Sequence, residues 1–571
     1  MDLGKKALRI LESKDYISDS KYNKNEKTYK GRNYNYIYRF ILTVESSSFN
    51  MILGIPPKWD KNLMDIYFEE VNKAPFIPHL EKAGNICLFD KEGALIESDF
   101  ELILNDVLNR MYKIVFEGLT GANKDDFITE FSAYWGKIPN ILYVQTDIEL
   151  EEKTKDIIIM ELKKDSKYYF ASDKNKDFEF KRFFKFENKT VNNGVYIYID
   201  SDEFIYPPDW RFPLKTEYIN KLLSHKSIDK KTVNSFVNKR KQSIILIFNI
   251  NQPNGITSLF GVELENYEVD KNELVVKARN VYPMYVERWD EDYLVNRGGG
   301  ISSFKEKKIL IIGCGSIGGY LINELVKTGF KNLTFTDYDY LSKENIYRHV
   351  LGLPFLWKNK AQAMKQYIIQ NIPYMEDNIS YYEEPIEILL ERNNNLFNEY
   401  DLIISAVGNH NLNRWINRYI NENEMDAPII YGWNEALGIG SHAAFISRKY
   451  LGCYECFFKI DKSTGIVYDR TSFSERGQVF SKKMRGCFSS YIPFGSGTSM
   501  TTVIAIIDIA KKYFENRIHD NILKSIKGDS YYMEKEGYLL SPKYKAQENK
   551  AKDYLGNRFI NTECGVCKNE K

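Results

Sequence analysis

The chain has 571 residues, enough for about four domains or fewer large ones. Its 79 basic and 78 acidic residues leave a net charge of +1, which gives no whole-chain attraction to nucleic acid or to an anionic membrane. Seven cysteines are too few for a disulfide scaffold, no apolar run is long enough to span a bilayer, and residues 1–15 lack the apolar core of a signal peptide, so a cytoplasmic chain with reduced thiols is expected.

An amphipathic helix opens the sequence, with Leu3, Ala7, Leu8, Ile10 and Leu11 on one face. Strand-like runs follow at Ile37–Val44 and Phe49–Ile55, ending at Pro56-Pro57. Next come Pro75-Phe76-Ile77-Pro78-His79 and a turn, Gly84-Asn85-Ile86-Cys87-Leu88. A capping box at Ser98-Asp99-Phe100-Glu101 predicts a long helix whose apolar face is Phe100, Ile103, Leu104, Val107, Leu108, Met111 and Val115. A further helix, Asp125–Trp135, is expected to pack rather than react. Helix, meander, cysteine turn and helix make an α+β order over residues 1–145. With Pro-His lying eight residues before the cysteine, this order is similar to that of ubiquitin-conjugating enzymes. Their motif reads His-Pro-Asn. Here Pro78 matches, and His79 stands at the position of the asparagine that assists acyl transfer, where it can donate a hydrogen bond to a thioester oxyanion. The resemblance makes Cys87 the acyl acceptor. By itself Cys87 reads as a buried packing residue.

Residues 146–290 alternate strands (157–162, 195–199, 243–248) with charged loops and a helix near Leu222. They carry no chemical motif, and His225 sits in a polar surface context. An α+β linker domain is expected, fixing the relative position of two active sites.

At residue 308 the character changes. The apolar run Lys308–Ile312 ends in Gly313-Cys314-Gly315-Ser316-Ile317-Gly318, and a helical pattern follows at Tyr320, Leu321, Leu325 and Val326. Strand, Gly-x-Gly-x-x-Gly and helix form a phosphate-binding turn, because glycines let the backbone approach a phosphate and the helix N-terminus offers free N–H groups. The next strand, Asn332–Thr336, ends at Asp337, an acid suited to a ribose hydroxyl; so far a nicotinamide dinucleotide would also fit. The continuation, Asp337-Tyr338-Asp339, then Asn345-Ile346-Tyr347-Arg348, then Lys360, resembles the adenylating domain of the ThiF/MoeB and ubiquitin-activating family. That resemblance implies a Rossmann-like fold with a parallel-dominated sheet over 291–571. It assigns Asp337 to the ribose and Asn345, Arg348 and Lys360 to the phosphates of ATP. It also implies a homodimer, with Arg297 on the preceding helix as a candidate to reach the partner's ATP. Arginine is a permanent forked donor for phosphate, and lysine a mobile point charge. The family's magnesium-side acid is missing: the strand Asp401–Asn409 has Gly408 there, so magnesium is served by another acid or held by ATP oxygens and water.

Two Cys-x-x-Cys pairs, Cys453/Cys456 and Cys564/Cys567, have the spacing of a closed tetrahedral zinc site; a redox disulfide is the alternative. The sulfur-carrier activating enzymes have the same arrangement, with a structural zinc. Cys314 sits inside the phosphate turn and reads as packing. Cys487 follows the polar stretch 459–486, with Lys482, Lys483 and Arg485, and precedes a Gly/Pro segment and the apolar helix 498–510. In the family a cysteine so placed is the thioester-forming nucleophile, and nearby positive charge lowers a thiol pKa; the bland reading is a tolerated loop cysteine.

Conjugating-type domain first and activating-type domain last resembles the fused enzymes of bacterial CBASS antiviral operons. The implied activity is an ATP-dependent ligase. It would adenylate a partner's C-terminus, carry it on Cys487 and then Cys87, and pass it to a lysine or other amine. The implied partner is a cGAS-like nucleotidyltransferase (CD-NTase), or otherwise a ubiquitin-like protein. Two other readings stay open. One is a sulfur-carrier adenylyltransferase whose N-terminal segment is a binding module. The other is a nicotinamide oxidoreductase, against which the Arg348/Lys360 spacing and the cysteines speak.

Overall fold

The computed structural model describes residues 3–89, 99–161, 168–173, 190–237, 243–270, 274–483 and 490–567. The chain divides into two compact units, Met1–Asp290 and Glu291–Lys571.

The first unit opens with α1 (Leu3–Glu12), whose Ala7 and Leu11 are buried. Four antiparallel strands follow in sequential order: β1 (Ile17–Tyr22), β2 (Tyr36–Val44), β3 (Ser47–Ile55) and β4 (Asp65–Phe68). α2 (Phe100–Thr120) buries the seven residues its 3.6-residue periodicity selects. Its cap is Asp99, whose carboxylate accepts from the Glu101 and Leu102 N–H groups at 2.8 and 3.1 Å; Ser98 of the expected capping box lies outside the described residues. The helix expected at 125–135 is two short ones, α3 (Asp126–Thr129) and α4 (Phe131–Trp135), separated at Glu130, whose φ of −106° and ψ of 20° leave the helical region.

The middle of the chain is a closed barrel rather than the expected α+β linker. In chain order its strands are β5 (Leu142–Thr146), β6 (Lys155–Glu161), β7 (Tyr168–Asp173), β8 (Thr190–Asp200), β9 (Ser243–Asn251), β10 (Thr257–Asp270) and β11 (Val275–Arg288). Around the barrel they run β8-β9-β10-β11-β5-β7-β6. β5 spans the boundary expected at 145/146. β9 is buried on both sides. Ile245 and Ile247 face the barrel interior, while Ile244, Leu246, Phe248 and Ile250 join the core shared with the first sheet. Such a strand loses the apolar–polar alternation by which a sheet face is recognised. α5 (Thr216–Leu223) and α6 (Lys230–Val237) add to the same core. Trp135 ties α4 to the barrel: its ring lies 4.1 Å from Phe260, and its Nε1 donates to the Met284 carbonyl at 3.0 Å.

The second unit starts with α7 (Glu291–Arg297) and is built on an eight-stranded sheet. In chain order its elements are β12 (Lys308–Ile312), α8 (Ser316–Thr328), β13 (Asn332–Thr336), α9 (Lys360–Asn371), β14 (Ile379–Tyr382), α10 (Ile386–Arg392), β15 (Leu402–Ser405), α11 (His410–Glu422), β16 (Ile429–Asn434), β17 (Gly440–Ile446), α12 (Ser496–Phe514), β18 (Ile522–Lys527) and β19 (Ala551–Leu555). The sheet order is β14-β13-β12-β15-β16-β17-β18-β19. The first five strands are parallel and the last three antiparallel. Crossover helices between parallel strands bring the loops after β12, β13, β14 and β15 to one sheet end, the ligand-binding end of such folds. No described helix is long and apolar enough to cross a membrane.

Candidate functional site

A cavity of about 530 Å³ opens at that end of the second unit. Its floor is the turn from β12 into α8. Gly313 has φ +92°, and a Cβ there would meet Val407 at 2.8 Å. A Cβ on Gly318 would stand 1.8 Å from the Gly313 carbonyl oxygen, so only glycine closes this turn. Gly315 caps α8, and Asn409 caps α11 by accepting from Asn411 and Leu412 N–H at 2.9 and 3.3 Å. Two helix N-termini therefore converge on the cavity, both favouring an anion.

Asp337, at the end of β13, is braced by the Cys314 and Asp339 N–H groups at 2.7 and 2.8 Å. Burial raises its pKa, and Lys360 opposes this. Lys360, buried at the first position of α9, places its ammonium 3.0 Å from Asp339. The Arg348 guanidinium lies over Phe494 at 5.7 Å, and the Arg348 carbonyl accepts from the Ser316 hydroxyl at 2.7 Å. His349 adds a second tie: its Nε2 lies 2.6 Å from the Cys314 carbonyl, while Nδ1 accepts from Leu351 N–H at 3.1 Å. Burial pushes that imidazole down to about 4, keeping it neutral. Gly313, Gly315, Asp337, Arg348 and Lys360 all line the cavity.

Asn345 does not line it. Its Oδ1 accepts from the Ser342 N–H and hydroxyl, bracing the loop that carries Arg348. Gly318 acts within the turn. Gly408 lines the cavity with φ +65°. Of the acids there, Asp339 is held by Lys360 and Glu384 by Arg392. Arg297 is exposed at the end of α7 and Cys314 is buried. Asn434 and Ser499 went unnoticed in the sequence. Ser499 bonds Ser316 at 2.7 Å and Asn434 at 3.1 Å, joining the starts of α8 and α12 to the end of β16.

Cys453, Cys456, Cys564 and Cys567 place their four Sγ atoms within 4.8 Å of one another, three of these residues being buried. Cys453 faces Cys564 at 3.7 Å and Cys456 faces Cys567 at 3.4 Å, separations suited to thiolates around one ion rather than to disulfides. The cluster can hold a metal ion, with Asn417 donating to Cys453 Sγ at 3.5 Å as outer support.

In the first unit, residues 79–87 form a tight antiparallel hairpin. Cys87 N–H donates to the His79 carbonyl at 2.8 Å, with Leu80 paired to Ile86. Cys87 is exposed and its Sγ lies 3.7 Å from the Phe89 carbonyl. His79 has φ +65°, and its N–H donates to the Tyr134 hydroxyl at 2.6 Å. Its ring meets carboxylates: Nε2 is 3.1 Å from Asp126 and Nδ1 3.6 Å from Glu130. The segment read only as packing thus also surrounds His79. Cys487 lies outside the described residues. Of the residues that follow it, Ile492 and Phe494 line the cavity.

Residues 294–534 match the model of the ThiF family, and residues 16–143 that of prokaryotic E2 family B. The ATP-dependent ubiquitin transferase-like protein Cap2 of Pseudomonas aeruginosa is 24% identical over 449 residues, covering 74% of this chain and 77% of that protein. Cap2 of Enterobacter hormaechei subsp. hoffmannii is 30% identical over 122 residues, 21% of this chain and 20% of that one. A crystal structure of E. coli MccB aligns at 18% identity with a TM-score of 0.33, over 49% of this chain and 68% of that chain. The first match encloses the glycine turn, Asp337, Arg348 and Lys360, and the second encloses His79 and Cys87. The chain therefore carries a ThiF-family domain and a prokaryotic E2 family B domain, the two halves of an adenylating and transferase enzyme.

Proposed function

We propose that the chain is an ATP-dependent protein ligase working through two successive thioesters. Supporting this is one observation above all: a cavity where the glycine turn, two helix N-termini, half-buried Asp337, Arg348 and Lys360 converge. ATP binds there with its ribose at Asp337 and its phosphates at the turn, Arg348 and Lys360, while Asn345 holds the loop. The partner's C-terminal carboxylate attacks the α-phosphate, and pyrophosphate leaves. Magnesium accompanies the phosphates on ATP oxygens and water, which it tolerates. Cys487 then takes the acyl group from the adenylate. Four residues lie between it and Ile492 in the cavity wall, a reach of at most about 18 Å. Cys87 receives the acyl group next, with His79 at the position of the conjugating family's asparagine, and a lysine or other amine accepts it. Splitting one condensation into covalent steps lowers each barrier.

The four-thiol cluster holds zinc in a closed, structural site. The adenylating unit forms a homodimer. The acyl donor is a cGAS-like CD-NTase of a CBASS system, in keeping with the likeness to the Cap2 proteins; a ubiquitin-like protein is the other candidate. The deciding experiment incubates ATP and donor with Cys487→Ala and Cys87→Ala chains. Cys487→Ala makes adenylate and loads neither thiol. Cys87→Ala stops with a thiol-sensitive adduct on Cys487. Conjugates formed by Cys87→Ala at the wild-type rate would remove Cys87 from the pathway and leave an adenylyltransferase with a binding module.

A further inference from the structure

We propose that His79, fixed by Asp126 and Glu130, is the base that takes a proton from the amine attacking the thioester at Cys87. The proposal rests on the reading of Cys87 as an acyl carrier and adds the residues that activate the acceptor.

His79 and Cys87 oppose each other across the hairpin through the 2.8 Å bond from Cys87 N–H to the His79 carbonyl. The positive φ of His79 is unusual for a residue with a side chain, and the Tyr134 hydroxyl holds it by accepting the His79 N–H. The ring is held separately. With the proton on Nε2, the imidazole donates to Asp126 Oδ2 at 3.1 Å and leaves Nδ1 as an acceptor. A carboxylate that fixes the tautomer in this way also stabilises the imidazolium once formed. Nδ1 stands 3.6 Å from Glu130 Oε1, too far for a hydrogen bond, while Glu130 Oε2 accepts from the Tyr134 hydroxyl at 2.9 Å. Nδ1 and Oε1 thus form an acceptor pair able to receive two N–H bonds of one ammonium group. Asp126 and Glu130 are both more than two-fifths exposed, so a lysine side chain reaches them from solvent. Lys137 stays out of the way: it is bound to Glu81 at 3.0 Å and to the Leu80 carbonyl at 3.2 Å.

In the proposed step a primary ammonium gives one proton to Nδ1. The freed amine nitrogen bonds to the thioester carbonyl carbon and the C–S bond breaks. Its electron pair goes to Cys87 Sγ, which also collects the second proton of the nitrogen. His79 is then the catalytic base, and Asp126 and Glu130 are positioning residues.

The test uses the full chain with Cys487→Ala, loaded at Cys87 by exchange with a small peptide thioester and followed by intact mass. Discharge is timed with Nα-acetyl-lysine, which must lose a proton, and with hydroxylamine, which is already unprotonated at neutral pH. His79→Asn keeps a hydrogen-bond donor but supplies no base. It should slow discharge to the lysine derivative about a hundredfold, the scale of general-base assistance, and leave hydroxylamine discharge near wild type. Asp126→Asn should slow the same reaction, and Glu130→Gln should chiefly raise the lysine concentration needed. An unchanged circular-dichroism spectrum and Tm show that each variant is folded. Wild-type discharge to lysine by His79→Asn makes the residue an oxyanion donor and overturns the proposal alone. Failure of Cys87 to accept the thioester overturns the carrier reading and the proposal with it.

Discussion

No described carboxylate pairs with the Arg348 guanidinium, whereas Lys360 is held by Asp339. On the proposed function, Arg348 keeps its donors for phosphate and Lys360 is positioned before ATP arrives. Replacing either by alanine should lower donor-dependent pyrophosphate exchange about a hundredfold or more, on the order of 3 kcal/mol of lost transition-state stabilisation, with an unchanged fold by circular dichroism. Exchange at the wild-type rate would exclude the altered residue from the site. His349 supports a prediction about pH. Its folded pKa, near 4, lies below the ordinary 6.5, so between these values the unfolded chain binds a proton that the folded chain refuses. Stability is therefore lost as pH falls through this window, by about 2 kcal/mol at pH 5. His349→Gln should flatten that part of the Tm–pH curve of the adenylating unit. The glycines, Arg348 and Lys360 were legible in the sequence because their spacing is local. Asn434 and Ser499 were not: Ser499 meets Ser316 across 183 positions, and no local pattern signals that meeting. His79 was found by its place beside Pro78. Its acids were missed because Asp126 and Glu130 lie on elements that read as ordinary amphipathic helix.

At the scale of elements, α2 and the β12–α8 turn follow directly from periodicity and glycine placement. The barrel does not, because closure depends on which strands pair. β5 joins β11 and β7, and neither partner is near in sequence to announce it. A strand such as β9, apolar on both faces, reads the same in a sandwich, a parallel sheet or a barrel. The thiol cluster was legible because Cys-x-x-Cys is a local motif, and folding supplies the second pair. Protein purified without chelator should contain one zinc per chain. Cys564→Ser should lose most of it and lower the Tm of the adenylating unit, since a structural metal's binding energy is folding energy. Full zinc content in that variant, or an unchanged Tm, would reject the site.

For the whole molecule, the two-domain order was readable from the two motif groups, and the division at residue 290 comes from the contacts within each unit. A homodimer of the adenylating unit predicts twice the chain mass by light scattering at micromolar concentration; a sharp monomer would reject it. The four-thiol cluster has a further consequence for connectivity. With a metal bound, it would fasten residues 453 and 456 to 564 and 567, 111 positions on, and so turn the intervening chain into a ring. That ring contains α12, β18, β19 and the segment leading to Cys487. A single protease cut within it opens the ring without detaching either arm. The two fragments should travel as one particle on a native column, held also by the pairing of β18 with β17. The same ring can therefore be opened near Cys487 without losing the tail.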